Sequence, residues 1–143
     1  MIRKFQAVDI EQVMRIWLNG NIGAHPFIPR EYWENNFDMV QKQMAAAEIW
    51  VYESAGEILG FIGLMDSYIA GIFVDEAHRS LGIGRELLDY AKRNHRRLTL
   101  SVYVKNERAE AFYLREGFCV LSEGRDEATG EAEYTMVWDG GEV

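Results

Sequence analysis

Phe73-Val74-Asp75-Glu76-Ala77-His78-Arg79-Ser80-Leu81-Gly82-Ile83-Gly84-Arg85 is the stretch on which the fold turns. It leaves an apolar strand, residues 68–74, and enters a helix marked by Leu87, Leu88 and Ala91. Glycines at 82 and 84 let the backbone come close to a ligand. A helix start adds unpaired N–H groups and a partial positive charge. Together these make an anion site that suits a pyrophosphate, and Arg79 adds a charge beside it. Other phosphate loops are excluded by their own requirements. A Walker loop needs Gly-Lys-Ser/Thr, and none follows Gly84. A dinucleotide fingerprint needs Gly or Ala where Leu87 stands, and it opens a βαβ unit. On the loop alone, a glycine-rich turn without a ligand stays open.

Outward from the loop, the pattern alternates between periods of two and of 3.6. Residues 2–7 read as a strand, and Asp9 with Gln12 as the capping box of a first helix carrying Ile10, Val13, Met14, Ile16, Trp17 and Leu18. His25-Pro26-Phe27-Ile28-Pro29 is irregular, because each proline disfavours helix at the residue before it. One helix is expected from Pro29 or Arg30 to about Ala47. Strands follow at 49–53, 58–65 and 68–74 as a meander, then a helix at about 82–95 and a strand at 98–104. Asn106 caps a helix running to about Glu116, and two strands, 118–126 and 132–138, close the chain. This order predicts an α+β domain spanning residues 1–143, with one parallel crossover between 68 and 104.

Composition narrows the function. A net charge of −8 disfavours a general nucleic-acid binder. The basic cluster Lys92-Arg93 and Arg96-Arg97 reads as a solvated helix end, with a contact to a nucleotide phosphate as the alternative. One cysteine, Cys119, excludes an internal disulfide framework and reads as a buried core residue. No apolar run suggests export or a membrane span, so a cytoplasmic location is expected. No His/Cys/Asp cluster has metal spacing, so no metal is expected.

Arg79-x-x-Gly82-x-Gly84, the preceding Ile72-Phe73-Val74, and Asn106-x-x-Ala109-x-x-Phe112-Tyr113-x-x-x-Gly117-Phe118 together resemble the GNAT (Gcn5-related N-acetyltransferase) superfamily. The order of elements agrees over nearly the whole chain. Small bacterial members carry a similar His-Pro-Phe-Ile run after the first helix.

The resemblance implies a three-layer fold. A mixed sheet of about seven strands would splay in a V between 68–74 and 98–104, with four flanking helices and a bulge plausibly at Gly71. It implies that acetyl-CoA lies in the V, contacting Phe73, Val74, Arg79, Ser80, Gly82, Ile83, Gly84, Arg85 and Asn106. Tyr113 would be the general acid for the departing thiolate, a reasonable match because a phenol titrates at about 10 and a thiol at about 8.5. His25, Phe27 and Tyr103, with Ser101, are candidates for the acceptor site.

The general base has no obvious holder, since residues 68–74 contain no carboxylate. Asp66, Glu48 and His25 are candidates, and a water chain is another route. The implied function is acetyl transfer from acetyl-CoA to a primary amine, by a monomer or homodimer. The alternatives are a non-catalytic acyl-CoA-binding module and a structural domain that binds no CoA.

Overall fold

The computed structural model describes residues 1–140. Seven strands form one sheet in the order β1-β2-β3-β4-β5-β7-β6. They are β1 (Ile2–Lys4), β2 (Glu48–Ser54), β3 (Glu57–Met65), β4 (Tyr68–Val74), β5 (Arg97–Tyr103), β6 (Cys119–Arg125) and β7 (Ala132–Asp139). Five helices accompany them: α1 (Ile10–Ala24), α2 (Arg30–Asn35), α3 (Phe37–Met44), α4 (Ile83–Asn94) and α5 (Glu107–Arg115). All strand pairs are antiparallel except β4–β5, which are joined through α4.

The sheet separates two apolar layers. Val13, Ile16 and Trp17 of α1 pack with Trp33 of α2 and Met44 of α3 against Ile49, Val51 and Phe61. Leu87, Leu88 and Ala91 of α4 and Tyr113 of α5 pack on the other face with Ile62, Leu64, Leu98, Leu100 and Met136. Residues 58–64 of β3 are therefore buried on both sides, which is why that strand reads as a continuous apolar run. Gly60 permits the close packing of α4. A Cβ there would stand 3.1 Å from Ile83 Cγ2 and 2.9 Å from the Phe73 carbonyl oxygen.

Several local readings of the sequence are corrected. The helix expected from Pro29 to Ala47 is two helices broken at Asn36, whose side-chain amide donates to the Tyr32 carbonyl at 2.6 Å. Such back-bonding competes with the helical ladder. Asp9 and Gln12 do not form a capping box. Asp9 accepts from the Gln6 N–H at 2.8 Å and from both terminal nitrogens of Arg3 at 2.9 Å, while Gln12 accepts from the Ile58 N–H at 3.0 Å. The Arg3 pairing holds the Asp9 carboxyl below its ordinary value against the cost of burial. That contribution to stability is present above about pH 3.9 and is lost as the pH falls through the folded value. Cys119 is exposed, not buried. It begins β6, the free edge of the sheet, where every residue is exposed.

The bulge expected at Gly71 sits one residue earlier. Gly63 pairs with Gly71 but Leu64 pairs with Ile69, so Ala70 has no opposite residue. Gly71 has a different use: a Cβ there would lie 2.4 Å from Phe73 Cε2. The Phe73 ring is wedged between Gly71, Gly20 of α1 and the stacked ring of Phe61 at 5.3 Å. Gly71→Ala forces that ring out of a packed slot. The expected loss is about 1–3 kcal/mol of unfolding free energy, measured by urea denaturation; an unchanged midpoint would show the slot to be loose.

Candidate active site

β4 and β5 pair only at Tyr68–Thr99 and Ile69–Leu100. Beyond these two positions the strands diverge in the expected V. On its other edge β5 stays paired with β7 from Arg97 to Tyr103. The outer half of β4 thus has a partner on one side only. The Asp75 N–H donates to Leu59 on β3 at 2.8 Å. Alternation along the strand then points the backbone groups of Phe73 at β3, and those of Ile72 and Val74 at the open gap. Of the two amides expected to meet a ligand, Val74 faces the gap, while Phe73 contributes its ring to the wall.

The gap opens into a cavity of about 800 Å³. Phe73, Val74, Arg79, Ser80, Gly82, Ile83, Gly84, Arg85, Asn106 and Tyr113 all line it, as do His25 and Phe27. The sequence had marked these residues in four separate places. Tyr103 does not line it but packs against His25 and Phe27, at 5.0 and 5.8 Å between ring centres. Asp66 and Glu48 do not line it either, and Glu48 instead accepts from the Trp50 indole at 2.8 Å. Lys92 and Arg93 lie elsewhere. Lys92 donates to the Glu116 carbonyl and covers Trp138, and Arg93 covers Tyr90, in keeping with cations at the end of α4.

The loop has the conformation its glycines suggest. Gly82 caps α4 in the left-handed region, at φ 83°, and Ser80 is also left-handed, at φ 68°. A left-handed serine costs about 1–2 kcal/mol, so the surroundings impose it. No side chain caps α4, and its first backbone bond runs from Glu86 to Gly82. The N–H groups of Ile83, Gly84 and Arg85 therefore face the cavity without helical partners. Arg79, Arg85, Arg108, Arg115 and Lys105 surround the same space, giving local positive charge to a chain of net charge −8. The sequence reading missed Arg108 and Arg115, which α5 brings to the cavity rim, and the wall formed by Gly20, Gly23 and Ala24 of α1.

Opposite the loop, Asn106 caps α5 by accepting from the Ala109 N–H at 3.2 Å. Tyr113, two turns on, is buried between Phe112 and Phe118, at 5.2 and 5.5 Å. Burial, and secondarily Tyr68, pushes its phenol well above the ordinary range. It is therefore a neutral proton donor throughout the physiological range. Among the described residues no group of three or more His, Cys, Asp and Glu is placed to hold a metal, and no helix is long and apolar enough to cross a membrane.

Comparison with known proteins agrees with this geometry. Residues 45–120 match the family model described as an acetyltransferase (GNAT) domain. The peptidyl-lysine N-acetyltransferase YiaC of Escherichia coli K12 is 33% identical, over 96% of each chain. The peptidyl-lysine N-acetyltransferase YjaB of the same strain is 31% identical, over 88% of this chain and 85% of its own. The solution structure of apo-form YjaB from E. coli superposes with a TM-score of 0.86 at 26% identity, over 96% of each chain.

Asn106→Ala removes the cap on Ala109. It is expected to cost about 1 kcal/mol of stability, checked by the shift in denaturation midpoint. A midpoint equal to that of the unaltered chain would mean that the cap bond is not held in solution.

Proposed function

The chain belongs to the GNAT acetyltransferase family and is an N-acetyltransferase, and we propose that it transfers the acetyl group of acetyl-CoA to the side-chain amine of a peptidyl lysine by direct attack. One observation carries the assignment of roles. The open side of β4 at Ile72 and Val74, the left-handed loop before α4 and Tyr113 all line one cavity. The lysine acceptor rests on the likeness to YiaC and YjaB. A cytoplasmic setting suits a chain whose one cysteine is an exposed free thiol.

The residues divide the work by chemistry. The N–H groups of Ile83, Gly84 and Arg85, with Arg79, take the pyrophosphate. The acyl-pantetheine arm lies along β4 as a missing strand would, bonded to the backbone of Ile72 and Val74. The Val74 N–H is then the donor for the thioester oxygen as it gains negative charge, a contribution of about 3–4 kcal/mol in comparable oxyanion sites. Attack of the amine expels the thiolate of CoA. Tyr113, on the cavity wall, is the proton donor to that sulfur. Burial keeps its phenol neutral in the free protein but makes it the weaker acid. The transfer therefore relies on the same apolar surroundings raising the basicity of the departing thiolate.

The acceptor enters from the side of Phe27, His25 and Tyr103. The Tyr103 hydroxyl donates to Asp126 at 2.6 Å, and Thr129 donates to the same carboxylate at 3.0 Å. These bonds hold Asp126 ionised below its ordinary range, although burial opposes them. A fixed negative charge beside aromatic rings suits an approaching ammonium. β4 carries no carboxylate, and neither Asp66 nor Glu48 reaches the cavity. Of the three base candidates only His25 lines the cavity, and its Nε2 lone pair is engaged by the Asn106 amide. The amine proton is assigned to a water chain, with Glu107 and Glu116 as the carboxylates on the cavity wall.

Tyr113→Phe removes the phenolic proton and little volume. Turnover with lysine peptides is expected to fall at least tenfold, with CoA affinity unchanged by calorimetry. Equal turnover with every amine tested would contradict the role given to Tyr113. Absence of thiol release by the unaltered protein across peptides and polyamines would favour a non-catalytic acyl-CoA module.

A further inference from the structure

Two cap residues meet across the cleft. His25 ends α1, where its N–H donates to the Asn21 carbonyl at 3.0 Å and its carbonyl accepts from Ile28 at 3.1 Å. Asn106 begins α5. Asn106 Oδ1 is already committed to the Ala109 N–H, so Nδ2 is the atom that faces His25 Nε2, at 3.2 Å. An amide nitrogen only donates. His25 Nε2 must therefore present its lone pair, and the proton of the neutral ring must sit on Nδ1. Nδ1 is buried without a hydrogen-bond partner. The ring is only 9% exposed, stacked on Trp33 at 5.3 Å and met edge-on by Tyr103 and Phe27.

The Asn106 amide has two hydrogens held in one plane. One goes to His25, and the other is left for the cavity that Asn106 lines. We propose that His25 is a positioning residue: by accepting one hydrogen of the Asn106 amide it aims the other at the acyl-CoA arm, and so ties the 25–29 loop on the acceptor side to the seat of the cofactor. This rests on reading the cavity as the CoA site.

The tie depends on protonation. A proton on Nε2 sets two donors face to face. Turning the amide over satisfies His25 but then sets Nδ2 against the Ala109 N–H, so each arrangement loses one bond. Burial lowers the His25 pKa from its ordinary value, against a smaller opposing effect of the Asn21 backbone. The neutral ring is thus the resting form at neutral pH, and the tie is lost as the pH falls through that lowered value. The polar groups around the ring are few. Tyr103 faces it from β5 with its hydroxyl on Asp126, and Lys105, paired with Glu131 at 3.2 Å, lies beyond Phe27. Tyr103 is held above and Asp126 below its ordinary range, so neither changes charge in the interval where His25 does.

The test is calorimetric titration with CoA alone, without acceptor, from neutral pH down to the lowest pH at which all three proteins stay folded. It compares the unaltered protein with His25→Gln, which keeps an acceptor, and His25→Phe, which has none; thermal melts confirm that each is folded. The phosphates of CoA titrate with all three proteins, so the readout is the ratio of affinities at each pH. At neutral pH Phe is expected to bind about five- to tenfold more weakly, the loss of one hydrogen bond, and Gln to recover most of that. As the pH falls, the unaltered protein loses the same factor relative to Gln. Nitrogen-15 spectra of the free protein should show the proton of His25 on Nδ1. A proton on Nε2, or equal binding by the Phe variant, overturns the proposal while the cofactor reading stands. Failure of the unaltered protein to bind CoA overturns both.

Discussion

The half-paired strand β4 is the constraint on which the rest depends. A strand inside a sheet needs hydrogen-bond partners on both sides, and an unmet backbone group shielded from water costs about 1–3 kcal/mol. β4 has partners on both sides only at its first two residues. Beyond them β5 diverges from β4 while it stays paired to β7 along its other edge, β4 carries an unpaired residue at Ala70, and the Phe73 ring is wedged against Gly20 and Gly71. A ligand with alternating amides restores what the sheet lacks, which is what a pantetheine arm offers.

Charge follows the same division. The surface as a whole is acidic, while the loop before α4 and the facing residues of α5 gather arginines and unpaired N–H groups around the cavity. A cofactor bearing several phosphates is thus drawn to one end. Asp126, bonded by Tyr103 and Thr129, carries negative charge next to the aromatic ring that packs on His25 and Phe27. Tyr113 lies in an apolar wall that keeps its proton on.

Much of this was legible in the sequence. Strong periodicity located β4 to the residue and α4 and α5 to within one residue at most ends, and the close backbone approach expected of the loop glycines fits Gly82, which adopts φ 83°. Failures fell where a tertiary contact overrode a local pattern. Asp9 has the look of a cap, but the Arg3 guanidinium and the Gln6 N–H claim its carboxylate. The stripe from Tyr32 to Met44 fits one helix, yet Asn36 bonds back to Tyr32 and breaks it. Cys119 follows buried Phe118, but lies on an edge strand where both faces meet solvent. The bond between His25 and Asn106 joins residues 81 positions apart, and no local pattern could announce it. Arg108 and Arg115 escaped for a related reason: surface arginines on a helix are ordinary until the fold shows which face borders a cavity.

The account stands or falls on what completes β4. Amide hydrogen exchange, followed by NMR with and without saturating CoA, reads this directly. The expected result is slowed exchange at Ile72 and Val74 on addition of CoA, together with protection at Ile83, Gly84 and Arg85, and little change at Phe73, which is already bonded to β3. CoA binding that protects other amides but leaves Ile72 and Val74 exchanging at their free rates would contradict the claim that the cofactor serves as the missing strand.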